Sequence, residues 1–261
     1  MHKELSERSR REKETYDLGK IKSENIFALI PALNCISQTP ARLRYSQLIS
    51  DYMKIGKSKI LLEIGSQAWT TWINFDEYPP QKLFCINISE SELAKGIEAS
   101  KNKLGVKDLI KFQIMDAHSL RFPNETFDLI FGGAILHHLD IDTAMKEIHR
   151  VLKPGGTIIF DEPLIHNPVG KIIRILTPQA RTADERPLGI KEIKLIDQYF
   201  ITNNYYTQLL DVPCSIISTY LFKNQDNFLT RISYNADSYL VKIPYLKFLY
   251  RTVLVYGIKK P

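Results

Sequence analysis

Two adjacent histidines, His137 and His138, follow the stretch GGAIL, and a later apolar run, TIIF, ends in Asp161 and Glu162. An imidazole held by a carboxylate has a fixed tautomer and raised basicity, so it can accept a proton near neutral pH. His137, His138 and Glu162 are therefore the candidate catalytic residues. One histidine is expected to face a substrate while the other packs under the following helix, and Glu162 takes over as base if neither does.

Other polar or glycine residues close apolar runs of the same kind: Glu63 and Gly65 in KILLEIG, Asn87 after KLFCI, Asp116 after IKFQIM, and Gly132 and Gly133 after FDLIF. Short apolar runs that alternate with helical patterns predict βαβ units and a parallel sheet from Lys59 onward. Such a sheet binds ligands beyond the carboxyl ends of its strands. Five polar strand ends on one rim thus predict a ligand cleft, although Glu63 paired with a lysine or Asp116 capping a turn would explain either residue alone.

The elements that position these residues are legible to differing degrees. SESEL predicts a helix with Ser89 as N-cap and Glu92 completing a capping box, burying Leu93, Ala94, Ile97 and Leu104. DIDTAMKEIHRVL predicts an amphipathic helix burying Ile141, Ala144, Met145, Ile148, Val151 and Leu152, ended by KPGG. Residues 163–190 hold four prolines and read as a long ordered loop with a short helix, the kind of segment that forms a lid. KEIKLIDQYF reads as helix, YYTQLLDV and TVLVYGI as strands, and the residues from Pro213 to Arg251 as a helical insertion.

The expected fold is therefore α/β: a Rossmann-like, mostly parallel sheet with helices on both faces. Its expected organisation is an N-terminal helical cap (1–58), a cofactor-binding core (59–162), and a lid loop, helical insertion and final strands that complete the core (163–261).

The turn after the first run, GSQAW, has Gly65 alone where a dinucleotide site needs several glycines to let backbone approach a pyrophosphate. A phosphate-free ligand tolerates a bulkier turn. Trp69 is expected to pack between the turn and the N-terminal cap, with a place beside a ligand cation as the alternative.

Composition sets the outer bounds. With 261 residues and 44% hydrophobic content, the chain can bury a substantial core. Cys35, Cys85 and Cys214 have neither zinc-type spacing nor the even number of a disulfide framework, so no metal site and a reducing, cytoplasmic setting are expected. Apolar stretches at 26–36 and 245–258 are broken by Pro31, Lys247 and Arg251, which predicts neither a membrane span nor a signal peptide. The net charge of +6 favours acidic partners without choosing among them.

From residue 59 to 161 the chain resembles the class I S-adenosylmethionine-dependent methyltransferases, in particular their broad small-molecule group. The matching blocks are LLEIGS, INISESEL, MDAHSLRFPNETFDLIFGGAILHHL and HRVLKPGG. The resemblance implies that Glu63, Gly65 and Ser66 face the methionine part of S-adenosylmethionine, Asn87 with Ile88 the ribose, Asp116 with Ala117 the adenine, and that Gly132 closes the methionyl side. It departs from the family in the reduced glycine turn and in Asn87, which stands where a carboxylate binds the ribose. On that reading Asn87→Asp tightens the cofactor.

Tyr16 is expected to close the site from above, and Arg174, Arg181 and Arg186 to bind an anionic group or to pair with acids of RTADER. The acceptor is expected to be a small metabolite, sugar or lipid-like molecule. Two other functions compete: a catalytically silent cofactor-binding module, suggested by the degenerate turn, and a nucleic-acid methyltransferase, suggested by the pI near 9.0. FGGAILHH lacks the Asn-Pro-Pro-aromatic and Pro-Cys elements of nucleic-acid enzymes, which argues against the second. Oligomeric state has no signature in the sequence.

Overall fold

The computed structural model describes residues 5–20, 38–101, 103 and 105–261. Residues 26–36, with Cys35, and Leu104 lie outside these. In chain order the described elements are α1 (Glu7–Asp17), α2 (Pro40–Met53), β1 (Ile60–Ile64), α3 (Trp69–Trp72), β2 (Lys82–Asn87), α4 (Glu90–Lys101), β3 (Ile110–Ile114), β4 (Phe127–Gly133), α5 (Ile141–Val151), β5 (Leu152–Pro163), α6 (Pro168–Leu176), α7 (Ile190–Tyr199), β6 (Phe200–Thr207), α8 (Asp211–Leu221), α9 (Phe228–Leu240) and β7 (Thr252–Lys259).

The seven strands form one sheet in the order β3-β2-β1-β4-β5-β7-β6. β1 to β5 pair in parallel, and β7 enters antiparallel between β5 and β6. The strand order reverses at β1 and β4, and a crevice opens at such a reversal because the connections on either side leave toward opposite faces. The α/β fold expected from the alternating runs is the fold observed.

Both faces of the central strands are covered, which explains their nearly unbroken apolar sequences. On one side Leu62, Ile130, Ile158 and Phe160 pack with Met145 and Ile148 of α5 and Ile193 and Ile196 of α7. On the other, Leu61, Leu83, Phe131 and Leu254 pack with Tyr45, Ile49 and Met53 of α2 and with Trp69. Burying each such side chain fully contributes about 1.5–3 kcal/mol. Trp69 thus belongs to the core between the turn and α2, with its ring edge-on to Phe75 and Phe112.

α5 buries the face its periodicity predicts, and Asp140 caps it by accepting the Thr143 N–H at 3.0 Å. Three local expectations need correction. The strand expected at TIIF begins earlier, at Leu152, so KPGG ends α5 but lies within β5, where the register with β4 shifts. β6 starts at Phe200 and ends at Thr207, so Gln208, Leu209 and Leu210 form a turn whose N–H groups, at Leu209 and Leu210, bond to the Asp237 carboxylate. α4 buries Leu93, Gly96 and Ser100, while Ala94 and Ile97 face solvent. The cause is Gly96: a Cβ there would lie 2.5 Å from the Ser66 carbonyl oxygen, so α4 is rotated to bring its glycine against the turn after β1.

Candidate active site

The carboxyl ends of β1 to β4 surround a cleft of about 220 Å³, lined by Gly65, Asn87, Ile88, Asp116, Ala117 and Gly133 from the sheet rim. α1 covers it with Ser9, Glu12 and Tyr16, and His138 with Leu139 forms the far wall. The convergence expected from the strand ends is thus present for four of the five, those of β1 to β4. Several polar strand-end residues also act by shaping backbone.

Asn87 shows how. Its side-chain N–H donates to the Gly65 carbonyl at 2.9 Å and to Ser66 Oγ at 3.2 Å, and its Oδ1 accepts the Ser89 N–H at 2.9 Å. Gly65 has φ +110° and Ser66 φ +65°, the left-handed region that costs a residue with a side chain on the order of 1 kcal/mol or more. Asn87 therefore holds the turn that its neighbours could not hold alone. Ser66 is fully buried and faces this brace, not the cleft.

Glu63 is also fully buried and accepts the Trp69 N–H at 3.1 Å, capping the start of α3. Burial pushes its carboxyl up to about 7. It lies beneath the turn and does not line the cleft. Gly132 is likewise a packing residue, because a Cβ there would lie 2.6 Å from the Ile64 carbonyl and 2.7 Å from Ile135. Its neighbour Gly133 reaches the cleft, with the Trp72 ring 3.3 Å from where a Cβ would stand.

Asp116 Oδ1 accepts both the backbone N–H of His118 at 2.9 Å and its ring Nδ1–H at 2.6 Å. His118 Nε2 accepts the Asp140 N–H at 2.9 Å, which fixes the ring proton on Nδ1. Burial raises the Asp116 carboxyl, but the His118 hydrogen bonds outweigh it and hold the group below the usual range. It therefore stays an anionic acceptor at the cleft wall.

Of the three catalytic candidates, one reaches the cleft. Glu162 is fully buried, accepts the backbone N–H groups of Ile135 and Leu136 at 2.9 and 2.7 Å, and receives His137 Nδ1–H at 2.8 Å. This saturated carboxylate pins the loop after β4, including Ala134 at φ +52°, and leaves no oxygen for a substrate. His137 is buried with it. His138 lies in the one-turn helix Leu136–His138 and lines the cleft, with Nε2 3.3 Å from Tyr16 Oη and Nδ1 3.3 Å from Glu12 Oε2. Burial and the Glu12 charge push the Tyr16 hydroxyl upward, so it remains a donor.

The arginines of the lid do not reach the cleft. Arg174 pairs with Glu185 at 2.6 Å, and Arg181 donates to the carbonyls of Arg174 and Thr177. His137, His138 and Glu185 bring one nitrogen or oxygen atom each within 4.8 Å of one another, with His137 bonded to Glu162 and Glu185 paired with Arg174. Sequence reasoning missed Glu12, Ser9 and His118. The first two share one face of α1 with Tyr16, at spacings of three and four residues, and that polar stripe was the signal available.

α1 is held over the cleft from both sides. Asp17 accepts from Ser89 Oγ at 2.6 Å beside α4, while Arg11 forms a two-pronged pair with Asp184 at 2.7 and 3.0 Å. Thr182 donates to Glu12, and Arg8 to the Asp184 carbonyl at 3.1 Å.

Residues 62–160 match the family model described as a methyltransferase domain. A demethylmenaquinone methyltransferase of Geobacillus stearothermophilus is 30% identical over 139 residues, 52% of this chain and 58% of that protein. A sterol 4-C-methyltransferase of Caenorhabditis elegans is 30% identical over 112 residues, 42% of this chain and 33% of that protein. The chain thus matches between one third and three fifths of the length of these relatives. Among solved structures, geranyl diphosphate C-methyltransferase from Streptomyces coelicolor A3(2), in complex with Mg2+, geranyl diphosphate and S-adenosyl-L-homocysteine, superposes with a TM-score of 0.58 at 11% identity, over 83% of this chain and 79% of that one. Residues 62–160 thus match the methyltransferase domain family, as the resemblance of their motifs to the class I S-adenosylmethionine-dependent methyltransferases indicated.

The cleft suits the cofactor of that family. Gly65 and Gly133 leave backbone open on one side, Ile86, Ile88, Met115 and Leu139 supply apolar walls, and Asp116 presents an anionic acceptor to a ring amine. No cationic side chain lines the cleft among the described residues, as suits a ligand with a sulfonium and no phosphate.

Proposed function

We propose that the chain transfers a methyl group from S-adenosylmethionine to a small, uncharged, lipid-like acceptor. The observation that carries this reading is the single cleft with Asn87 and Asp116 at one end and the Glu12–His138–Tyr16 group at the other. The bound cofactor supplies an electrophilic methyl carbon, whose bond to sulfur breaks as the bond to the acceptor forms and a neutral thioether leaves.

In this reading Gly65, Gln67 and Gly133 border the methionine part, Asn87 Oδ1 accepts from the ribose on its remaining lone pair, and Asp116 with Ala117 holds the adenine. His138 removes the proton released by the acceptor, with Glu12 stabilising the imidazolium that results. Tyr16 donates to the acceptor oxygen and closes the cleft. An uncharged acceptor is favoured over an anionic one because Arg174 and Arg181 are bonded elsewhere. The names of the two relatives, a demethylmenaquinone and a sterol methyltransferase, point to the same acceptor chemistry.

The test has two stages. Saturating S-adenosylhomocysteine should raise the melting temperature, since a ligand that binds only the folded state stabilises it. Methyl-labelled cofactor and a total lipid extract should then give label in the organic phase. No thermal shift would sink the cofactor reading, and a shift without transfer to any acceptor would leave a binding module.

A further inference from the structure

The C-terminal helices are built inside out. α8 buries Ser215 and Ser218, and α9 buries Thr230 and Ser233, where the two helices pack together. Their large apolar residues point the other way: Tyr220 and Leu221 on α8 are 80% and 67% exposed, and Phe228 on α9 is 72% exposed. α6 buries no residue at all, and its Ile175 and Leu176 are exposed beside α8, which it meets through Val169, Ile173, Val212 and Ile216. A helix pair that must face water does the reverse, because exposing apolar surface costs about 25 cal/mol per Å². Small polar residues between helices and apolar residues outside are the arrangement that suits a lipid environment.

Charge on this part of the chain is equally one-sided. Residues 1–162 carry 22 Lys and Arg against 22 Asp and Glu, whereas residues 163–261 carry 13 against 7, so the whole excess of +6 lies in the C-terminal third. Lys171, Lys223 and Lys242 are exposed at the ends of α6, α8 and α9, and have no carboxylate partner among the described residues. From α8 through α9 the only carboxylates are Asp211, Asp226 and Asp237; two are buried, and Asp226 is paired with Arg231 at 2.7 Å. No helix among the described residues is long and apolar enough to cross a membrane.

We propose that the outward face of α6, α8 and α9 docks on the surface of an anionic lipid membrane, with its apolar residues inserted at the level of the headgroups and its lysines against them. An amphipathic helical surface with flanking cations binds in this way, by apolar burial and attraction to anionic lipid together. α6 leads straight into the segment 182–186 that holds α1 over the cleft, so the docked face and the cover of the cleft are parts of one stretch of chain. The inference rests on the surface and is independent of the acceptor proposed above.

The test is flotation of the full chain with vesicles of phosphatidylcholine, alone or with about one third phosphatidylglycerol. The chain should float with the anionic vesicles and much less with the neutral ones, and added salt should release it. The double variant Leu221→Ser with Phe228→Ser should lose roughly tenfold or more in partitioning, while its thermal shift with S-adenosylhomocysteine stays that of the unaltered chain. Lys171→Glu with Lys223→Glu should lose binding to anionic vesicles alone. Failure of the unaltered chain to float, or full binding by the serine variant, overturns the proposal. A dimer in light scattering that the serine variant breaks, without vesicle binding, would assign the face to a second copy of the chain instead.

Discussion

The Asn87 side-chain nitrogen lies 2.9 Å from the Gly65 carbonyl oxygen, and this one hydrogen bond ties the end of β2 to the turn after β1. A carboxylate cannot make it. In Asn87→Asp an anionic oxygen would face the Gly65 carbonyl, so the substitution that would strengthen a ribose contact instead breaks the turn. The expected outcome is a lower melting temperature and weaker S-adenosylhomocysteine binding, by about 1–3 kcal/mol, the penalty for a buried acceptor left without a donor. Thermal melts and calorimetry check it, and tighter binding with an intact turn would show that the ribose contact dominates.

This residue also shows what the sequence could and could not convey. The apolar runs fixed strand identity and the rim, because period and burial are local properties. Whether a polar residue at the rim points into the cleft or back under a loop depends on the neighbouring strand's carbonyls, which no local pattern encodes. Glu63, Asn87 and Glu162 each turn toward backbone, and each stabilises a turn that carries positive φ or starts a helix. The cover from α1 was hidden for another reason. Its contacts reach from Arg11 to Asp184 and from Glu12 to Thr182, about 170 positions along the chain.

The two adjacent histidines should separate in their effects. His138→Ala removes the only imidazole of the pair that lines the cleft, and turnover should fall by about 10²–10⁴, the usual range for a general base, with S-adenosylhomocysteine affinity retained. His137→Ala leaves Glu162 with a buried oxygen lacking its strongest donor, so stability should fall by about 1–3 kcal/mol. Steady-state rates and melts on both variants decide this. Equal loss of turnover with equal stability would show that the pair acts as a unit.

Glu63 should make stability depend on pH in the direction opposite to an ion-paired acid. Its folded carboxyl is raised from 4.5 to about 7, so the protonated form is favoured by folding. Its contribution is therefore fully present below pH 4.5 and is lost as pH rises through 7. At 1.36 kcal/mol per unit, the loss is on the order of 3 kcal/mol. Glu63→Gln keeps an oxygen for the Trp69 N–H and cannot ionise, so its melting temperature should stay flatter between pH 5 and 8 than that of the unaltered chain. Parallel curves for the two proteins would mean that Glu63 is ionised throughout.

The cover over the cleft should open more readily when its outer fastening is removed. Arg11 and Asp184 form an exposed pair, and pairs of this kind contribute little to global stability. Their position gives them a different lever, because α1 carries Glu12 and Tyr16 onto the cleft, and it can swing away only by parting from the 182–186 segment. Arg11→Ala should thus leave the melting temperature nearly unchanged while S-adenosylhomocysteine dissociates severalfold faster, since lid opening commonly limits ligand release. High salt should speed release from the unaltered chain and not from the variant, because an exposed ion pair is screened and an absent one is not. Stopped-flow displacement at two salt concentrations reads both effects. Release that is equally slow in the variant would show that the Glu12–Thr182 and Asp17–Ser89 contacts alone hold α1 in place.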